Sequence, residues 1–265
     1  MCLLAVAWHV HPAFRLVVAA NRDEFYARDT EPAHEWADQP GVFAGRDVRA
    51  GGTWMGVTTE GRFAALTNVR GGVLVVADGA PPPPSRGALV ADFLTGTTRA
   101  AEYVAAVAGI AEQYSGFNLL VADHEQLWWC SNHSEPQQLG PGVYGLSNAS
   151  LDTPWPKTTA ATAAMRAALS QPDAASMEAA LFAAMADRTL PAMEDVPLSD
   201  VPESEFPAER ARQLAACMIV TDDYGTRASS VVTIDLEGVA TMTERTLDAH
   251  GESVAERRWH NQLSA

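Results

Sequence analysis

Two apolar, β-rich runs, "CLLAVAWHV" and "RLVVAAN", stand within a few residues of each other at the start of the chain, joined by "HPAF". Runs of this length and composition, bounded by a Pro-containing turn, read as an antiparallel hairpin. A hairpin whose first strand begins at residue 2 constrains the fold strongly, because it places the chain terminus against the far end of the second strand. With Val10 facing Arg15, counting back along the ladder sets Cys2 opposite Asp23, and a slip of one residue sets it opposite Arg22. Cross-strand partners share a face at about 4.5–5.5 Å between Cβ atoms. The opposite face of the first strand then carries Leu3, Ala5, Ala7, His9 and His11.

The segments that follow extend the pattern. "TWMGVTT" and "RFAALTNV" flank Glu60-Gly61 as a second hairpin, after an irregular stretch containing Pro and Gly. "GAPPPP" reads as a stiff polyproline connector. Ser85 is placed to cap a helix through "GALVADFL", and "RAAEYVAAVAGIAEQY" is a second helical segment. "FNLLVAD" and "QLWWCSN" are strands around a turn at His124 and Glu125, and two Ala-rich helices fill Trp155 to Asp187. "PAMEDVPLSDVPESEFP" reads as a loop, before the strands "ACMIVTD", "SSVVTIDL" and "VATMTER". Hairpins, then helices, then hairpins point to a layered α+β fold with antiparallel sheets, in one domain over residues 1–265. "GRDVRAGGTWMG" precedes a strand and so fails the context of a phosphate loop; its glycines read as turns and a bulge.

Several function classes are excluded on charge and composition. A formal charge of −15 offers no basic stripe for nucleic acid. No apolar run approaches the ~20 residues of a membrane span, and the apolar N-terminus lacks the basic flank of a signal peptide. Three widely spaced cysteines give no disulfide framework, which fits a reducing cytoplasm. Cys130 and Cys217 lie in apolar strand contexts as core thiols. The seven histidines lack zinc-ligand spacing, so no metal site is expected. Trp54, Trp128, Trp129 and Trp155 suit core packing or the walls of an apolar pocket. No Gly-x-Ser-x-Gly elbow occurs.

The start "MC" carries specific chemistry if the hairpin holds. A thiol attacks only as thiolate, and an ordinary cysteine titrates near ~8.5. Removal of Met1 alone, with no propeptide to cut, would leave Cys2 with a free α-amine of pKa about 7.7–8.0. That amine can serve as general base to its own thiol, as in other N-terminal nucleophiles. Arg22 would favour the thiolate, and Asp23 would orient the amine.

Read together, "AANRDEF", "GGTWMGV", "LTNVR", "SRGALV", "FNLL", "GLSNASLDTPWPK" and "YGTRASSVV" resemble, in order, the signature blocks of the NRDE family. Its eukaryotic members include the transport and Golgi organisation 2 proteins. That family is in turn similar to the cysteine N-terminal-nucleophile (Ntn) hydrolases, such as penicillin V acylases and bile-salt hydrolases. The resemblance implies a four-layer αββα sandwich with Cys2 as nucleophile and Arg22 with Asp23 on the second strand. It further implies Asn68 and Asn148 near the oxyanion, and Arg227 as a late arginine of the site. Those enzymes separate the Arg and Asp by two residues, whereas here they are adjacent and should point to opposite faces. Either the strand ends there, or Glu24 takes the carboxylate role beside Arg22.

Two functions follow from the resemblance. One is a cysteine hydrolase acting on a small amide or thioester, needing no cofactor. The other is a non-catalytic carrier of haem or of an acyl-lipid or acyl-CoA, with the polar cluster gripping a carboxylate and His9 or His11 as conceivable iron ligands. Oligomeric state is not legible in the sequence.

Overall fold

The computed structural model describes residues 2–74, 81–197 and 207–263. The chain forms β1 (Cys2–Trp8), β2 (Phe14–Phe25), β3 (Thr30–Glu35), β4 (Val42–Asp47), β5 (Met55–Thr58) and β6 (Phe63–Asn68). Helices α1 (Gly87–Thr95) and α2 (Ala100–Ala108) follow, then β7 (Phe117–Ala122), β8 (Leu127–Ser131), β9 (Ser134–Leu139) and β10 (Gly142–Leu146). Helices α3 (Pro156–Ala168), α4 (Ala174–Met185) and α5 (Ala208–Gln213) precede β11 (Tyr224–Asp235), β12 (Val239–Leu247) and β13 (Ser253–Gln262).

The strands make two antiparallel sheets, one a six-stranded sheet in the order β10-β1-β2-β11-β12-β13, the other a seven-stranded meander from β3 to β9. Period-two burial explains the layering. Leu4, Val6, Leu16, Val18, Val232 and Met242 of the first sheet meet Met55, Val57, Phe63, Leu120 and Trp129 of the second. The other face of the meander packs Ala64, Leu119 and Val121 on Leu89, Val90 and Phe93 of α1 and on Val104 and Val107 of α2. Leu3, Ala5, Val17, Ala19 and Val231 of the six-stranded sheet rest on Ala161 and Met165 of α3 and on Leu181 and Phe182 of α4. The result is the expected αββα sandwich.

Local expectations need several corrections. β1 stops at Trp8, and the connection is residues 9–13, with His9 in the left-handed region at φ 48. The ladder therefore takes the slipped register, with Cys2 opposite Arg22 and Trp8 opposite Leu16. His9 and His11 belong to this turn and not to a strand face. Helix α1 starts at Gly87 after Arg86 with no side-chain cap, so Ser85 is not its cap. Instead the helix start is pressed against the turn before β5: a Cβ on Gly52 would lie 2.5 Å from the Gly87 carbonyl carbon. "ACMIVTD" forms no strand. Its buried backbone is met by other groups, with Met218 N–H donating to Asp187 (2.8 Å) and Asn21 Nδ2 donating to the Cys217 carbonyl (2.9 Å).

Strands β3, β4, β9, β10 and β13 lie where the sequence shows no clear strand signal. The last of these, "SVAERRWHNQ", is an edge strand dressed in charge, a device that discourages pairing with other chains. Residues 79–80 of the proline tract and 198–206 of the acidic loop lie outside the described residues. Among the described residues no helix is long and apolar enough to cross a membrane.

Candidate functional site

The slipped register brings the first residue of β1 to the far end of β2, where the two sheets diverge. Alternation along β2 puts Arg22 on the same face as Leu16, Val18 and Ala20, which is the face toward the meander. Cys2, its ladder partner, lines the same opening. The cleft there has a volume of about 140 Å³, and its walls include Cys2, Arg22, Asp23, Glu24, Trp54, Asn68 and Arg86. The meander supplies Trp54 and Asn68 from either end of the β5–β6 hairpin, and the start of α1 supplies Arg86.

Charge in this cleft is arranged as a ladder of opposite signs. The Arg22 guanidinium is 6% exposed and lies over the Trp54 ring at 4.3 Å. Its Nη2 is 4.0 Å from Glu24 Oε2, while its Nη1 is buried with no hydrogen-bond partner among the described residues. Glu24 also lies 3.8 Å from Arg28, whose Nε donates to Asp47 at 2.6 Å. Arg86 Nη1 donates to the Gly116 carbonyl at 3.0 Å. Cys2 is half-buried, and burial pushes its thiol above the ordinary value; the Asp23 carboxylate adds to this, while a backbone N–H from Asp23 and the Arg22 charge oppose it. Burial likewise lowers the pKa of Arg22, opposed by Cys2 and Glu24. The strand runs on to Phe25, so Glu24 shares a face with Arg22, and both Asp23 and Glu24 line the cleft.

Asp23 points to the helix side. It is 2% exposed; its Oδ1 accepts from Thr226 Oγ1 at 2.7 Å, and its carbonyl accepts from the Tyr224 hydroxyl at 2.8 Å. A register shift between Thr226 and Ala228 makes this possible, because the bulge at Arg227 lets Thr226 face Asp23 while Ala228 pairs with Arg22. Burial raises the Asp23 pKa, and Lys157 is the main charge pulling it back down. Lys157, the second residue of α3, is 1% exposed, and its Nζ has no hydrogen-bond partner among the described residues. Burial depresses its pKa, and the Asp23 carboxylate opposes that.

The two asparagines occupy different positions. Asn68 ends β6 and lines the cleft. Asn148 is 1% exposed, and its Nδ2 donates to the Asn68 carbonyl at 2.7 Å. It therefore bridges the loop after β10 to the end of β6 instead of facing Cys2. Ser147 Oγ lies 3.0 Å from the Cys2 carbonyl, tying that same loop to the first residue of β1. Buried Asn118 completes the clamp: its Nδ2 donates to Ala149 (2.9 Å) and its Oδ1 accepts from Trp129 (3.2 Å). Arg227 lies behind Arg22, where Nη1 donates to the Phe25 and Tyr26 carbonyls at 3.2 and 3.0 Å. It lines a crevice with Trp54 and Glu244 and not the Cys2 cleft.

Lys157, Ser147 and Asn118 escaped the sequence reading. Lys157 had a signal: it is the only lysine of the chain. The exposed His9 sits at the other end of β1 from Cys2, about 20 Å away by the rise of a seven-residue strand. Cys130 and Cys217 are buried, and burial pushes each thiol up to about 11. No group of metal-ligating side chains is found among the described residues.

Comparison with known proteins places these features in context. The profile of the family Transport and Golgi organisation 2 matches residues 1–249. The Transport and Golgi organization protein 2 homolog of Homo sapiens is 34% identical over 269 residues, covering 93% of each chain. The homolog of Mus musculus is 32% identical over 268 residues with the same coverage. Among solved structures, the N-acylethanolamine-hydrolyzing acid amidase ortholog of Caenorhabditis elegans has a TM-score of 0.46 at 11% identity, covering 87% of this chain and 92% of that one. Penicillin V acylase from Agrobacterium tumefaciens has a TM-score of 0.43 at 14% identity, covering 99% and 93%.

Proposed function

This chain belongs to the Transport and Golgi organisation 2 family, and we propose that it is a cysteine hydrolase of a small acyl compound, an amide or a thioester, with Cys2 as the nucleophile. The observation that carries this reading is the Cys2 thiol at the wall of a cleft shared with Arg22 and Asn68. Loss of Met1 frees the α-amine of Cys2, which takes the thiol proton. The thiolate adds to the acyl carbonyl, and the Asn68 side chain donates to the oxygen on which charge develops; such a donor is worth a few kcal/mol, roughly 2.7–4. The amine then returns the proton to the departing amine or thiol, and water releases the acid from the thioester. Asn148 contributes indirectly, by holding the Asn68 backbone. Arg227 steadies the end of β2.

Intact-mass measurement tests this directly. The purified protein should lack Met1 and gain one acyl group on Cys2 from at least one member of a panel of amides and thioesters, whereas Cys2→Ser gains none that turns over. A retained Met1 would sink the mechanism.

A carrier reading has one observation in its favour, the buried Arg22 Nη1 without a hydrogen-bond partner among the described residues. A ligand carboxylate would satisfy it with a charge-assisted hydrogen bond. The cleft suits only one end of such a ligand, since about 140 Å³ falls well below the ~300–1,000 Å³ of whole-ligand pockets. His9 lies at the other end of β1 from this cleft. Unchanged ligand binding by Cys2→Ser, with no turnover by the wild type, would favour the carrier.

A further inference from the structure

The side chains packed between the two sheets shrink toward Cys2. On β2 the inward series runs Leu16, Val18, Ala20 before it reaches Arg22, and on β6 Phe63 gives way to Ala65. Where these series end there is a second, smaller cavity of about 10 Å³, with Cys2 at its mouth and Leu4, Ala20, Met55, Ala65 and Leu66 as its apolar walls. Arg22 and Ser230 border it on the polar side. The apolar walls are at most 7% exposed, so the cavity is a dead end in the buried layer. It has room for one group the size of a water molecule. Cys2 therefore stands between this dead end and the open cleft of about 140 Å³. Past Glu24 and Arg28, which line both, the open side continues into a cavity of about 390 Å³ beside the exposed Phe25 and Val48.

We propose that the small cavity is the acyl subsite of Cys2 and that its size selects a two-carbon acyl group, so that the substrates are acetyl amides or acetyl thioesters whose bulk lies in the leaving group. This rests on the hydrolase reading above. The leaving amine or thiol departs through the cleft side, which reaches solvent, so the acyl side of the scissile carbonyl faces the space between the sheets. Sγ bonds to the acyl carbon as the bond to the leaving group breaks, and the thiol proton goes to that group. Water then cleaves the acetyl thioester and releases acetate. A methyl group fills a cavity of this size and leaves water for apolar walls. A longer chain has to push Leu4 or Met55 out of a close-packed layer, and such interiors resist extra methylenes.

The wild-type protein tests this before any variant has to fold. Phenyl thioesters carrying acetyl, butyryl or hexanoyl groups are offered in turn, intact mass records acyl transfer to Cys2, and each rate is divided by that of the same thioester with free cysteine. Acetyl should transfer at least about tenfold faster than butyryl, because a pocket discriminates one methylene by roughly 10–200-fold, and hexanoyl should be slower still. Met55→Ala lengthens the cavity and should bring butyryl up to the acetyl rate. Ala65→Val fills it and should slow acetyl transfer about tenfold, while iodoacetamide alkylates Cys2 as in wild type. Equal rates along the wild-type series, or an acetyl preference that neither variant changes, would overturn the acyl subsite and leave the hydrolase reading standing. No transfer from any thioester, with Cys2 still open to iodoacetamide, would overturn both.

Discussion

Arg22 and Asp23 are neighbours in sequence and almost equally buried, at 6% and 2% exposed, yet they serve opposite faces of the same sheet. On the face toward the meander, Arg22 meets Cys2, Trp54 and Glu24 in a cleft that reaches solvent, and one of its donors has no partner among the described residues. On the helix face, buried Asp23 accepts from Thr226 and is influenced by the charge of buried Lys157. The open face can exchange partners with a ligand, so its charges can be functional at little cost to the fold. The two charges on the helix face are deeply buried, so each bears on the ionisation of the other.

That difference predicts unequal consequences for losing one charge. Lys157→Met removes the main charge that lowers the Asp23 pKa, and taking one charge from two coupled buried groups costs at most about 3–5 kcal/mol. Chemical denaturation at neutral pH should show a loss within that bound. The sign of its pH dependence follows from the raised pKa of Asp23. A carboxyl group whose pKa is raised on folding contributes stability below its unfolded value, near ~3.9, and loses it as pH rises through the folded value. The Lys157→Met penalty should therefore shrink on acidification, as protonating Asp23 becomes less costly. Lys157→Met combined with Asp23→Asn should regain most of the stability at neutral pH. If the double variant is no better than the single one, the two charges are not partners.

A smaller effect is expected one contact away. Thr226→Val keeps the shape and removes the hydroxyl that donates to Asp23 at 2.7 Å. Hydrogen bonds to charged groups contribute about 1.5–3 kcal/mol, so denaturation should register a loss in that range. The same substitution in a Lys157→Met, Asp23→Asn background should cost clearly less, because the acceptor no longer carries charge.

How much of this was legible depended on whether a feature left a local trace. The β1–β2 hairpin was visible from its apolar runs, but its register was not. That depended on a left-handed His9 in the turn, which no period-two pattern reveals. Alternation indicated that a straight strand would part Arg22 from Asp23, but whether the strand ran on to carry Glu24 needed the structure. Strand β13 was hidden because its side chains stay exposed apart from a few such as Trp259, so its sequence shows no clear apolar alternation. "ACMIVTD" misled for the opposite reason: its apolar residues are buried, but side chains such as Asn21 and Thr226 satisfy its backbone in place of a ladder. Asn148 could be placed near the site by resemblance. Its bond to the Asn68 carbonyl is a contact across 80 residues and needed the structure.

The smallest stability effect should come from the most functional charge. Arg22→Met removes a guanidinium from over Trp54, a contact worth about 0.5–2 kcal/mol. It also removes a buried donor with no partner among the described residues, which is itself a cost to the folded state. The two changes oppose each other, so the net shift in denaturation midpoint should correspond to less than ~1 kcal/mol. Affinity for an acyl compound carrying a carboxylate should nonetheless fall sharply, while an uncharged analogue is bound as before, a contrast that calorimetry can read. A large loss of stability in Arg22→Met would mean that the open face is as tightly interlocked as the sealed one, and the distinction between them would have to be abandoned.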